Sequence, residues 1–251
     1  MFLEHLHLKN VRCLRELDLP LTDSRGRPRK WTLLLGQNGA GKSTVLRSIA
    51  LLLAGSDALA SLAGETDSWI RFGANTAEIR AILSTAKDEE REIALRFERG
   101  QSIRQMFDVN RESLDALDQA LRYTSRSYFT VGYGVSRRLP ASNSGSSPDR
   151  GRFTHPRANS VATLFAPDAE LVSLEQWATD LHYRKEDLAL ELVGEALRDF
   201  LPGVEFFEID RENRRLMFKT EDGPMPLSLM RDGFQNAISW CGDLLYRLTE
   251  V

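Results

Sequence analysis

Residues 33–44, LLLGQNGAGKST, decide the fold. Gly36, Gly39, Gly41, Lys42 and Ser43 fit the spacing Gly-x4-Gly-Lys-Ser/Thr, in which backbone N–H groups wrap a phosphate where no Cβ blocks its approach. The preceding WTLLLG (31–36) reads as a short, continuously apolar strand buried on both faces. KSTVLRSIALLLAG (42–55) reads as a helix stopped at Gly55. A glycine loop between such a strand and helix places partial positive charge at the phosphate. The candidate nucleotide-binding set is therefore Gly36, Gln37, Asn38, Gly39, Ala40, Gly41, Lys42, Ser43 and Thr44. Lys42 would neutralise the β- and γ-phosphates and Ser43 would ligate Mg²⁺. The plainer alternative is a glycine-rich turn with an incidental lysine.

Working outward, residues 2–9 and CLRELDLPL (13–21) alternate apolar and polar positions and predict two strands joined at KNVR. TDSRGRPRK (22–30) is a polar loop. Further strands are expected within WIRFGANTAEIRAILS and REIALRFERG, between Trp69 and Phe97, and a helix over ESLDALDQALRY (112–123). SYFTVGYGVSRRLP (127–140) reads as a strand entering a glycine turn, and 141–160, rich in Ser, Gly, Pro and Arg, as a mobile loop. Two helices, around SLEQWATDLHY and EDLALELVGEALRDFL, precede a hairpin of VEFFEID and RLMFKT about the turn RENR, then a last helix, GFQNAISWCGDLLYRL. The expected organisation is a core with the phosphate loop over 1–140, a flexible loop over 141–160, a helical insertion over 161–203, and a hairpin with a final helix over 204–251.

The 251 residues, 42% hydrophobic and 27% charged, suit a globular chain with a sizeable core. A net charge of -3 gives no global attraction to nucleic acid or anionic membrane. Cys13 and Cys241, far apart and without metal-ligand spacing, predict reduced thiols and a cytoplasmic setting. The opening MFLEHLHLKNVRC lacks a basic region followed by an apolar run, and VLRSIALLLAG is too short and polar to span a bilayer. No membrane partner is expected.

The LHLKNVR hairpin followed by GQNGAGKST resembles the N-terminal part of ABC-class ATPases of the SMC, RecF and OLD type. The resemblance continues through WIRFGANTAEIRAIL, TVGYGVSRRLP and SVATLFAPDAELVSLEQWATDL. It ends in PLSLMRDGFQNAISWCGDLLYRL, similar to the segment carrying the ABC signature in bacterial RecF/OLD-like ATPases. It implies an α/β P-loop fold of ABC/RecF type, a mixed sheet with antiparallel N-terminal strands and a helical insertion. It also implies ATP and Mg²⁺ as cofactors, ATP-dependent pairing with a second ATPase head or a higher homo-oligomer, and DNA or an effector protein as further partners. Asn10 and Arg12 match an element whose arginine lies near the nucleotide in relatives; the alternative is a turn arginine in solvent. Arg231, Asp232 and Gly233 match the signature, with Arg231 where relatives carry a serine that contacts the opposite subunit's γ-phosphate. Arg231 either clamps a phosphate in trans or abolishes that contact.

Hydrolysis in this class uses an apolar strand ending in Asp-Glu, the Walker B strand, which the resemblance places after the signature helix. The sequence is expected to lack it, so the catalytic residues stay unassigned. Glu208 and Asp210 in FFEID are read as ordinary strand and turn residues. Arginines at 25–30 and at 137, 138, 150, 152 and 157 sit in loops that either contact phosphodiester backbones or only keep the chain soluble. The leading expectation is the ATP-binding module of a soluble ATPase in DNA repair or anti-phage defence. The alternatives are a split, non-hydrolysing nucleotide-binding scaffold and an ABC transporter ATP-binding subunit.

Overall fold

The computed structural model describes residues 2–84, 90–123, 129–135, 153–184, 187–200, 203, 205–210 and 215–250. The chain is mixed α/β and divides into two compact units, Met1–Gly134 with Phe153–Phe165, and Val135–Arg152 with Ala166–Val251.

In the first unit, β1 (Phe2–Val11) pairs with β2 (Leu14–Pro20), and helices α1 (Lys42–Leu53) and α2 (Ser56–Ala63) follow. Next come β3 (Thr76–Ser84), β4 (Glu90–Glu98), α3 (Ile103–Tyr123), and two single turns, α4 (Pro156–Asn159) and α5 (Ala162–Phe165). The strands form one antiparallel sheet in the order β2-β1-β3-β4. Alternation puts one face inside: Leu6 stands beside Leu19 and Ala81, Leu8 beside Leu17 and Ile79, and Ala81 and Ile79 beside Ile93 and Leu95. This face, α1 and α2 enclose a core that includes Leu51, Leu59, Trp69 and Phe97. The opposite face is charged and solvated, with Arg80 bonded to Glu78 at 2.7 Å and Glu92 at 2.5 Å, and Arg96 to Glu78 at 3.1 Å.

The outer edge of β4 is sealed by α3. Asn110 accepts from the Arg96 N–H at 2.7 Å and donates to the Arg96 carbonyl at 2.8 Å, so one buried amide does the work of a neighbouring strand. Asp118 of α3 accepts from the Ser56 N–H at 3.1 Å and from its hydroxyl, satisfying the start of α2.

The structure departs from several local expectations. Residues 31–36 form no strand: Trp31, Leu33 and Leu35 are 91%, 79% and 83% exposed, and Leu34 alone leans on the core. An apolar run has strand propensity, but a strand is made by a partner's backbone, and no described residue pairs with this one. Every described pairing is antiparallel, so the parallel part of the expected mixed sheet is not among the described residues. Residues 129–135 are not a strand either; Gly132 N–H donates to the Ser160 carbonyl and Gly134 N–H to Thr163 Oγ1. A Cβ on Gly134 would stand 1.9 Å from the Thr163 carbonyl oxygen, so only glycine allows this approach. The expected loop 141–160 is ordered from Phe153 on: Asn159 brackets the N–H and carbonyl of Phe153 at 2.7 Å each, and His155 caps α4 ahead of Pro156. Its remainder, 141–152 with Arg150 and Arg152, lies outside the described residues, as do Arg137 and Arg138 before it.

In the second unit α6 (Leu174–Tyr183) and α7 (Asp187–Phe200) precede a three-stranded antiparallel sheet of β5 (Glu205–Asp210), β6 (Arg215–Thr220) and β7 (Gly223–Pro226). The chain then enters α8 (Asp232–Glu250). Leu174, Trp177, Leu216, Phe218, Ile238 and Cys241 form its core. Asp243 is buried on α8, bonded to Arg247 Nε at 2.7 Å and to the Val172 N–H at 2.9 Å.

Candidate nucleotide site

Residues 36–40 are exposed and Gly41 is half-buried; the loop enters α1 through two left-handed glycines, Gly39 at φ 83° and Gly41 at φ 96°. The Ala40 N–H donates to the Gln37 carbonyl, closing the turn. Gly41 is the N-cap of α1 and has no side chain to satisfy the first helical N–H groups; the first turn holds no acidic residue. A helix start is ordinarily finished by Ser, Thr, Asp or Asn. Here the partial positive charge of that end is left for an external anion.

Lys42 is the first helical residue, and its Nζ donates to the carbonyls of Gly36 at 2.5 Å and Gln37 at 2.7 Å. Among the described residues no carboxylate pairs with it. Its charge is thus held at the loop by neutral acceptors. Ser43 is exposed and Thr44 buried. Beside Lys42 and Ser43 lies a cavity of about 630 Å³ with apolar walls from Phe2, Leu19, Leu34 and Leu46, and with Arg29 and Lys30 on its lining. The chemistry fits ATP with Mg²⁺: backbone donors and Lys42 for the phosphates, and the Ser43 hydroxyl for the metal. No group of three or more His, Cys, Asp or Glu that could hold a metal occurs among the described residues.

The β1–β2 turn packs directly on this loop. A Cβ on Gly41 would meet Leu14 Cδ2 at 2.7 Å and Cys13 Sγ at 3.2 Å, and Cys13 Sγ lies 3.9 Å from Thr44 Oγ1. At the end of β1 and in this turn, Asn10 (φ 53°) and Arg12 (φ 52°) are left-handed without being glycines. Such strain persists where the surrounding structure fixes it, commonly at functional sites. Arg12 is half-buried, with its guanidinium carbon 4.4 Å from the centre of the Trp69 ring. Burial lowers its pKa, Arg47 lowers it further, and Cys13 acts the other way. Trp69 was not singled out from sequence; a tryptophan opening WIRFG, just before an alternating strand, was the available signal.

Arg231, Asp232 and Gly233 lie in the second unit, exposed at the start of α8. The Arg231 carbonyl accepts from Phe234 and Gln235, and the Gln235 amide donates to the Ser228 and Met230 carbonyls, fixing the turn before the helix. Glu208 and Asp210 lie on β5 opposite Met217 and Arg215. In the loop 22–30, Asp23 accepts from Arg25 N, Arg27 N, Arg27 Nε and Arg27 Nη2, and Arg29 Nε donates to the Thr22 carbonyl. Arg27 and Arg29 are therefore engaged within the loop itself.

Residues 5–129 match the AAA domain family. A 56-residue stretch is 38% identical to the Septu protein PtuA of Bacillus mycoides, over 22% of this chain. A 51-residue stretch is 47% identical to the OLD nuclease of Thermus scotoductus, over 20% of this chain. Each match spans 8% of the relative's length. Among solved structures, the recombination mediator protein RecF in the RecFOR pathway aligns over 99% of this chain and 82% of its own, at 12% identity and a TM-score of 0.47. No helix among the described residues is long and apolar enough to cross a membrane.

Proposed function

The N-terminal part of the chain, residues 5–129, is an AAA domain of the ABC-class, RecF/OLD-like kind, and from that premise we propose that the chain binds ATP with Mg²⁺ through residues 36–44. The observation that carries this is the uncapped, acid-free start of α1, with Lys42 at its first position and Gly41 wedged against the β1–β2 turn. Mg²⁺ would add neutralising charge at the phosphates, with Ser43 as its protein ligand. Arg12, on the same turn, is assigned to the phosphate chain as a second cation. Calorimetry with ATP and Mg²⁺ tests the reading: Lys42→Ala removes the main counter-charge and abolishes measurable binding, and an unchanged affinity overturns it.

The setting proposed is cytoplasmic work linked to DNA, in repair or anti-phage defence, which the similarity to an OLD nuclease supports. A second ATPase head, contacted through Arg231, Asp232 and Gly233, is the proposed nucleotide-dependent partner, with DNA and an effector protein as further ones. A scaffold that binds ATP without turning it over is the second reading. Its support is that no carboxylate among the described residues is bonded to Lys42, Ser43 or Thr44. Phosphate release by the purified chain separates the two: background rates favour the scaffold, while turnover lost in Lys42→Ala favours the ATPase.

A further inference from the structure

Arg12 is held in an unusual way. Its backbone is left-handed, at φ 52°, and its N–H donates to the Trp69 carbonyl at 2.9 Å. Its guanidinium lies over the Trp69 ring, and its Nε is buried without a hydrogen-bond partner. An arginine without a carboxylate ordinarily extends to water, where five donors are hydrated. Here one donor has been withdrawn from water, and no carboxylate among the described residues pairs with the guanidinium.

Trp69 itself has no freedom to follow. It is fully buried, stacked on Phe97 at 5.8 Å and 15°, and its Nε1 donates to the Ala63 carbonyl at 2.8 Å. The ring is thus a fixed plate. Arg47 adds a second positive charge: it follows Thr44 by three residues on α1, and its Nε donates to the Leu164 carbonyl. Among the described residues these two cations have one acceptor, the neutral Leu164 carbonyl, and such a pair favours an anion between hairpin and helix.

We propose that Trp69 is a positioning residue for nucleotide binding: its fixed ring holds the unneutralised Arg12 guanidinium in place, on the turn that packs against Gly41, ready for a phosphate oxygen. This rests on the reading that residues 36–44 bind ATP. Preorganisation is the gain, because a guanidinium already immobilised loses little freedom when the ligand arrives.

The test is a double-mutant cycle on ATP affinity in the full chain with Mg²⁺. Arg12→Ala and Trp69→Leu should each weaken binding about tenfold, within the range of a desolvated cation–π contact. Trp69→Leu should add nothing in the Arg12→Ala background, and Trp69→Phe should restore most of the affinity. A loss from Trp69→Leu that persists in the Arg12→Ala background means the ring acts through packing, which overturns the proposal. Arg12→Lys, which leaves Trp69 untouched, guards against a fold defect: it keeps the charge but cannot lie flat on the ring, so it should bind as weakly as Arg12→Ala. Wild-type affinity in Arg12→Lys also overturns the proposal. Normal binding by Arg12→Ala alongside lost binding by Lys42→Ala sinks this inference and leaves the nucleotide site standing. Failure of the wild-type chain to bind ATP removes both.

Discussion

Gly41 and Leu14 compete for one volume: a single carbon added to Gly41 would stand 2.7 Å from Leu14 Cδ2. The phosphate loop and the β1–β2 turn are therefore fitted to each other. Gly41→Ala combines this overlap with a left-handed backbone and should cost about 1–3 kcal/mol of stability as well as nucleotide binding. Gly39→Ala meets nothing within 4 Å, so it should cost only the backbone strain, about 1 kcal/mol. Urea melts of the two variants check the difference, and equal losses would mean that the turn yields freely.

The two thiols should behave as opposites. Cys13 is exposed next to the phosphate loop, whereas burial pushes the Cys241 thiol up to about 11. A maleimide should label Cys13 in the native chain and Cys241 only after unfolding. ATP with Mg²⁺ should slow the Cys13 reaction, which peptide mapping by mass spectrometry would detect.

Asp243 is fully buried, and Arg247 spends Nε and Nη2 on it at 2.7 and 3.1 Å. Asp243→Ala leaves a buried guanidinium without its anion and also strips the Val172 N–H of its acceptor. The expected loss is about 3–5 kcal/mol. Asp243→Ala with Arg247→Met should recover part of it, measured by denaturant unfolding of each variant.

Glu175 should weaken the fold at neutral pH. Burial raises its pKa, against the opposing hydrogen bond from the Leu216 N–H and the charge of Arg215. A carboxyl whose folded pKa lies above its unfolded value stabilises the fold when protonated, and that contribution is lost as pH rises through the folded pKa. Glu175→Gln keeps an acceptor for Leu216 and needs no deprotonation. Its melting temperature should exceed wild type at neutral pH, with the gap closing as pH falls below the ordinary carboxylate range.

Trp31, Leu33 and Leu35 present apolar side chains on one segment whose backbone pairs with no strand among the described residues, a surface that favours association. Light scattering should show the wild-type chain larger than a monomer, and Leu33→Lys with Leu35→Glu should reduce the size. A wild-type monomer that melts cooperatively would show that the segment is protected in solution.

The glycine loop and the helix it opens could be read from sequence because the signal is local: glycine spacing, a lysine, and a helix start lie within nine residues. The pairs β1–β2 and β3–β4 were legible for a similar reason, since alternation along each strand names the buried face. Residues 31–36 were not, because pairing depends on a distant backbone that no local pattern specifies. Strand β7 was missed because Pro224 and Pro226 suppress a strand signal, though an edge strand tolerates them. Trp69 was legible as a core residue at most; its role with Arg12 needs the left-handed turn that brings them together.

The Asn110 amide that closes Arg96 has a bearing on assembly. Fibrous growth requires a sheet to accept a neighbour on both flanks, so that each added copy offers a fresh template. With β4 bonded at Arg96 by a side chain of its own molecule, the edge of this sheet left for a neighbour among the described residues is that of β2. Edge-to-edge pairing through β2 should therefore end in a closed pair, and replacing Asn110 with alanine should free the Arg96 backbone for a neighbour.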